Sequence, residues 1–386
     1  MTKEVIKNFA TTADGEQTVS QNLLPGLGGK PKKKIRVIET CAGYGTTRLA
    51  LIETANQLGL DVEFEFVAIS EIDKTAISAY EKLHGETYNL GDITMADFTK
   101  LLCDILSFTF PCQSISQANN KKTGTGFEEN KNSKSSIVWS LKKILRDMPH
   151  KPRLILFENV KAILNKKNKS TLDKLVAFLE SEGYSVTYKN LDSQIYSGIP
   201  QHRERVFILA TLGEEVGFEW PKPVPLKFEL KDILENNPDE KFYITDVARA
   251  GFLKRALEKD YGIRVHNPSN AKVAFTISTK SGGRNYDNFI WEHDISDDTL
   301  IKVSASKLDK LPVSLDVIQN TRFRKLTPGE VMTLTGLTQE QQEKLKDFSP
   351  AQIYKLMGNG IVVPTLTAIF CEYFKKLQED GKLETF

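Results

Sequence analysis

Ile35-Arg-Val-Ile-Glu39 runs into Thr40-Cys-Ala-Gly-Tyr-Gly-Thr-Thr-Arg48, and an apolar-periodic stretch opens at about Leu49. A short β-like run, a glycine turn and a helical pattern make the first unit of a nucleotide-binding α/β fold. Gly43 and Gly45 supply the turn, but Arg48 stands where a dinucleotide fingerprint carries its third glycine. Tight pyrophosphate packing is therefore not specified. A second strand over residues 64–69 ends in Ser70-Glu71, and Glu71 lies about as far downstream as the acid that binds ribose hydroxyls in such folds. A third segment ends at Gly91-Asp92-Ile93-Thr94, another turn with an acid at a strand end. A glycine turn followed by two acids, without a phosphate cradle, suits a nucleoside cofactor lacking phosphates, and S-adenosylmethionine fits that description. Taken singly, Glu71 and Asp92 read equally well as helix caps.

A buried strand over residues 104–110 is stopped by Pro111, and Cys112 follows it. Open α/β sheets place ligands and chemistry at that carboxyl edge. Residues 113–135 are rich in Ser, Asn, Gly and Lys, with no apolar period, the composition of a loop able to close over a bound group. Cys112 is thus a candidate nucleophile, against the ordinary fate of a free cysteine as a small buried hydrophobe.

Further along, residues 136–146 read as an amphipathic helix and residues 153–157 as a buried strand ending in Glu158-Asn159-Val160. A carboxylate there, beside an apolar wall, is a candidate general acid with a raised pKa; a helix cap is the plainer reading. A helix over residues 171–182, a strand over 184–191 and a turn at Ser197-Gly-Ile-Pro200 lead into Gln201-His-Arg-Glu-Arg205 and a last strand, 206–210. Arg203 and Arg205, at alternate positions, point the same way and face one site, suited to a polar substrate edge or a phosphate.

The chain has 386 residues, 40% hydrophobic and 26% charged, with a formal net charge of +2. That is globular composition with room for two domains. Its cysteines, at 41, 103, 112 and 371, form no CxxC or Cys/His cluster, so neither a disulfide framework nor a metal site is expected. No signal-peptide core or bilayer-spanning apolar run is evident. Residues 1–34 read as a flexible tail ending in a basic run, and residues 35–212 as the catalytic and cofactor-binding domain. After the proline-rich 219–225 linker, the texture over 226–323 becomes β-like and turn-rich, giving a smaller β-rich domain over 213–323. Residues 324–386 return to helices: Thr327 is an expected N-cap with Pro328 at N1, Gly358-Asn359-Gly360 reads as a tight turn, and a final helix spans about 365–377.

These pieces, in this order, resemble the DNA cytosine-5 methyltransferase family, bacterial CpG-type enzymes most of all. The resemblance covers residues 35–212 and 324–370. It rests on six separated motifs: Ala42-Gly43-Tyr44-Gly45, Phe110-Pro-Cys-Gln113, Glu158-Asn-Val160, Gln201-His-Arg-Glu-Arg205, Arg324-Lys-Leu-Thr-Pro328 and Gly358-Asn-Gly360. It implies a Rossmann-like methyltransferase domain with a mixed, mostly parallel sheet, and a target-recognition domain over 213–323 in which Thr276-Ile277 resembles the family's Thr-Leu pair. One departure stands out: the family usually carries phenylalanine before Ala42, packed on the cofactor adenine, and this chain has Cys41.

By the resemblance, Cys112 attacks carbon-6 of a flipped-out cytosine, Glu158 contacts and protonates ring nitrogen-3, Arg205 holds the ring carbonyl and Arg203 supports the same site. The S-adenosylmethionine site takes Ala42, Gly43 and Gly45 near the methionine part, with Tyr44 in the same turn, Glu71 at the ribose, Ile72, Asp92 and Ile93 at the adenine, and Asn359 with Ile361 from the chain's end. Gln113, Ser114, Gln117, Thr276, Ile277, Lys280 and Arg284 are the expected DNA contacts, with Gln117 or Asn119 filling the space left by the flipped base. The implied partners are double-stranded DNA and a cognate restriction endonuclease, for a monomer in a bacterial cytoplasm. A tRNA cytosine-5 methyltransferase is the runner-up, and the substantial 213–323 stretch favours DNA. A silent DNA-binding relative is opposed by the intact Cys112, Glu158 and Arg205.

Overall fold

A computed structural model describes residues 32–112, 115, 128–129, 134–259, 263–281, 287–292, 301–303 and 314–386. The expected contacts Gln113, Ser114, Gln117 and Arg284, together with Asn119 and nearly all of the 1–34 tail, lie outside these residues.

The main sheet has six strands: β1 (Lys33–Thr40), β2 (Val62–Ser70), β3 (Ile105–Phe108), β4 (Leu154–Val160), β5 (Tyr184–Asp192) and, after the two-residue β6 (Gln201–His202), β7 (Glu204–Leu212). Their spatial order is β2-β1-β3-β4-β7-β5. β1 runs parallel to β2 and β3, and β3 parallel to β4, while β7 is antiparallel to both β4 and β5. This is the mixed, mostly parallel sheet the sequence predicts.

Strand side chains alternate between two covering layers. Ile35, Val37, Ile105, Leu154, Leu156, Phe207 and Leu209 face one core, shared with the helices Thr46–Leu58, Lys74–His84 and Val363–Glu379. Ile38, Leu106, Ile155, Phe157, Val206 and Ile208 face the other, covered by Leu141–Asp147 and Lys166–Ser181. The sheet is therefore wound on both faces, which leaves its carboxyl edge free to carry a site. The third segment before Asp92 makes no strand; Tyr88 and Leu90 only bridge Ile69 at the edge, through backbone bonds of 2.8 Å each.

β8 (Ile263–His266), β10 (Phe289–Trp291), β11 (Ile301–Val303) and β12 (Phe323–Arg324) form a second sheet, and β9 (Ala274–Phe275) pairs in parallel with β6. Ile244, Leu253, Val265, Phe289, Trp291 and Phe323 make a small core of their own. Yet Leu230, Ile233, Leu234, Ala271, Ala274 and Ile277 join the large core instead. The stretch also holds a 14-residue helix, Asp246–Lys259, so it is less purely β than its texture suggests.

Thr327 caps the helix Pro328–Leu334 in a capping box with Glu330, as the Thr-Pro pair predicts. Gly358 and Asn359 close the preceding helix, Pro350–Asn359, rather than forming a free turn. The stretch Pro350–Glu379 does reach the length and apolarity of a membrane span, but 67% of that apolar window is buried in the molecule.

Candidate active site

β1 to β4 end at one edge, and β7, running the other way, begins there. Cys112 follows β3 at this edge, half-buried. Its loop is tied down from β4: Asn159 Nδ2 donates to the Phe110 carbonyl at 3.1 Å. The Ile115 amide donates to the Cys112 carbonyl at 3.0 Å. Asn159 is 2% exposed, and this anchoring role has no sequence signal beyond its place between Glu158 and Val160.

Glu158 lies inside β4, so it caps no helix. Arg205 on β7 pairs with Val160 across the ladder, which makes Glu158 and Arg205 diagonal neighbours on one face. Arg205 Nε sits 3.0 Å from Glu158 Oε1, with side chains 15% and 12% exposed. Burial pushes the Glu158 carboxyl above its ordinary range, against the pull of Arg205 and Arg203. Burial, then the Glu158 charge, pushes the Cys112 thiol up; Arg205 and Arg203 oppose this. Glu158, Arg203 and Arg205 are thus all close enough to act on the charge of the Cys112 thiol.

Arg203 departs from expectation. It is 2% exposed and donates to the carbonyls of Ile277 (2.7 Å), Gly358 (3.0 Å) and Gly360 (2.7 Å), so no phosphate reaches it.

A second cleft lies around the glycine turn. Gly43 and Gly45 have φ of +60° and +83°, and a Cβ on Gly45 would come within 2.3 Å of His84 Nε2. Glycine is required there by both backbone and neighbour. The Gly43 amide donates to Glu71 Oε2 at 2.9 Å, and the Ile72 and Asp73 amides donate to Glu71 Oε1 at 2.8 and 2.9 Å. Thr94, through amide and hydroxyl, holds the Asp92 carboxyl below its usual range. Ile72 is 69% exposed, an uncovered apolar side chain next to a carboxylate, and a Cβ on Gly43 would meet only open space. These carboxylate acceptors and this apolar face fit a nucleoside carrying ribose hydroxyls and an aromatic base. Cys41 sits at φ +51°, its thiol pushed up to about 12 by burial and by Glu71 and Asp92. Ala42 and Tyr44 are buried, as is Ile93 at 3%. Ile361, expected at the cofactor, is 3% exposed within the main core, while Asn359 is exposed at the helix end.

Among the expected DNA contacts, Ile277 is fully buried and cannot offer its side chain to DNA. Thr276 is half-buried, its hydroxyl donating to the His202 carbonyl at 2.7 Å. Lys280 is exposed. Among the described residues no cluster of His, Cys, Asp or Glu could hold a metal.

The family model for C-5 cytosine-specific DNA methylase matches residues 35–375. The Type II methyltransferase M.NlaX of Neisseria lactamica is 32% identical over 86% of this chain and 94% of its own length. M.SsoII of Shigella sonnei is 30% identical over 87% of this chain and 79% of its own. Among solved structures, the Entamoeba histolytica methyltransferase EhMeth superposes with a TM-score of 0.70 at 18% identity, covering 90% of this chain and 99% of that one. At such identity the likeness speaks for the fold. The family match extends from β1 to the last long helix, taking in every motif above, and the chain belongs to the C-5 cytosine-specific DNA methylases.

Proposed function

We propose that this DNA cytosine-5 methyltransferase transfers a methyl group from S-adenosylmethionine to a flipped-out cytosine through a covalent adduct on Cys112. The observation that carries the reading is the meeting of Cys112, Glu158 and Arg205 at one sheet edge. Cytosine carbon-5 is a weak nucleophile. Adding the Cys112 thiolate to carbon-6 forms the S–C6 bond and moves the ring's π electrons toward carbon-5 and nitrogen-3. Glu158, its carboxyl held toward the protonated form, donates to nitrogen-3, and Arg205 binds the adjacent carbonyl oxygen. Carbon-5 then takes the methyl group, its proton leaves to a base, and the thiolate departs as the ring double bond returns.

Glu71 would hold the ribose hydroxyls and Asp92 the adenine amino group, with Ile72 covering the base. The cofactor supplies an electrophilic methyl on a sulfonium. A duplex hides the cytosine, so the base must leave the stack at a cost of a few kcal/mol. We assign residues 213–323 the recognition of the DNA site, with Thr276 and Lys280 at the contact, and place the monomeric enzyme in the cytoplasm with DNA. The Type II names of its bacterial relatives support a cognate restriction endonuclease as a cellular partner.

Purified protein incubated with methyl-labelled cofactor and either duplex DNA or tRNA tests the substrate. Label in DNA, at cytosines then mapped by bisulfite sequencing, is the expected result. Label in tRNA alone would overturn it.

A further inference from the structure

Three consecutive residues at the entrance to β7 grip one distant piece of chain. Gln201, fully buried, accepts the Ile277 amide on Oε1 at 3.1 Å and donates from Nε2 to the Leu334 carbonyl at 2.7 Å. The His202 carbonyl accepts the Thr276 hydroxyl at 2.7 Å. Arg203 Nη1 donates to the Ile277 carbonyl at 2.7 Å. Both backbone groups of Ile277 are therefore held by side chains from the segment that leads into β7.

The other end of Arg203 reaches the cofactor side. Its Nη2 donates to the carbonyls of Gly358 and Gly360, which bracket Asn359. Both glycines are close-approach positions. A Cβ on Gly358 would come within 2.2 Å of the Thr279 amide nitrogen, and one on Gly360 within 2.5 Å of the Tyr44 ring. Tyr44, 1% exposed, sits between Gly43 and Gly45 in the turn whose amide is bound by Glu71. Guanidinium, two glycine carbonyls, tyrosine ring and Ile277 backbone form one contiguous buried contact.

We propose that Arg203 is a positioning residue that joins the glycine turn at the cofactor cleft to the Thr276–Ile277 segment, so that cofactor and DNA each tighten the binding of the other. This rests on the functional reading above. A guanidinium is planar, with donors in a fixed fork, so its acceptors cannot move independently. A buried donor left without its acceptor is costly, which keeps all three carbonyls in step. Pressure on the Gly43–Gly45 turn passes through Tyr44 to Gly360, and through Arg203 to Ile277. By linkage the effect is reciprocal.

The test is the affinity for S-adenosylhomocysteine, by calorimetry, with and without a saturating duplex carrying the mapped site. Wild type should gain about tenfold from the duplex, within the usual range of such couplings. Arg203→Lys, which keeps the charge and cannot span three carbonyls, should bind each ligand alone and bring the gain to about onefold. Arg205→Ala, outside the contact, should lose turnover and keep the gain, which a merely structural loss would not do. Wild-type coupling in Arg203→Lys, or no coupling in wild type, overturns the proposal. Should Arg203→Lys not fold, Arg203→Gln, which has no charge to bury and cannot reach both Ile277 and the Gly358–Gly360 carbonyls, decides the matter by the same reading. A wild type that methylates no DNA overturns the functional reading instead.

Discussion

Arg205 Nε lies 3.0 Å from Glu158 Oε1, across the ladder between β7 and β4, and the charges of both residues act on the Cys112 thiol. The proposed reaction needs Cys112 without its proton and Glu158 with one. Burial raises both groups, so the productive state holds a single proton between them. Interacting groups of this kind titrate as a pair.

The profile of kcat/KM against pH should therefore be a bell. It falls in acid, where the thiol stays protonated, and in alkali, where Glu158 loses its proton. Glu158→Gln should lower the rate by about 10²–10⁴, the usual size of a positioned acid's contribution. It should also abolish the alkaline fall, since the thiolate fraction then only rises with pH. Initial rates across pH check this; an alkaline limb that survives in the variant would sink the assignment.

Cys112→Ala should abolish methylation and leave S-adenosylhomocysteine binding within about twofold of wild type, because Glu71, Asp92 and Ile72 are untouched. Calorimetry and methyl incorporation on one preparation separate the two effects.

Gly358→Ala adds a methyl group 2.2 Å from the Thr279 amide nitrogen, a backbone atom that cannot swing aside. Overpacking of this kind costs about 1–3 kcal/mol. Urea unfolding should show that loss.

Arg324 and Glu330, 5% and 0% exposed, form a bidentate pair at 2.8 and 3.0 Å. The same carboxylate accepts the amides of Thr327 and Glu235, each at 2.7 Å. Glu330→Ala leaves a buried guanidinium without its partner and should lower stability by about 3–5 kcal/mol. Denaturant melts at neutral pH measure this.

Glu39, 1% exposed beneath the glycine turn, has its carboxyl raised to about 7 by burial, against the Tyr80 hydroxyl at 2.6 Å and the Arg48 amide. Its unfolded value is about 4.3. The folded chain keeps a proton that the unfolded chain releases, so this stability is present below the unfolded value and is lost as pH rises through 7. Glu39→Gln should flatten a decline on the order of 3 kcal/mol between those values. His84, pushed down to about 4 chiefly by burial, acts in the opposite sense, so the comparison is variant against wild type at each pH.

Strand–turn–helix order, the alternation of β1 to β4 and the Thr327-Pro328 helix start are legible because each is a local pattern. The family was legible for a related reason: its motifs are short runs of contiguous residues. What escaped reading is long-range. Ile277 reads as a strand residue in a turn-rich stretch, yet its backbone is held by Gln201 and Arg203 and its side chain joins the large core. Asn359 reads as a turn between glycines, yet those glycines answer to Thr279 and Tyr44, far away in sequence. Arg203 and Arg205 share a face by alternation. No spacing rule says that three carbonyls capture one while a carboxylate takes the other.

Of the six strands in the main sheet, β7 alone runs against the other five. Parallel strands arrive at the working rim as they finish, so Cys112 hangs on the linker that comes after β3. β7 arrives there as it starts, and Arg205 is already laced into the ladder on both sides. The chain after Leu212 departs from the strand's far end, so a change of length there need not shift that guanidinium.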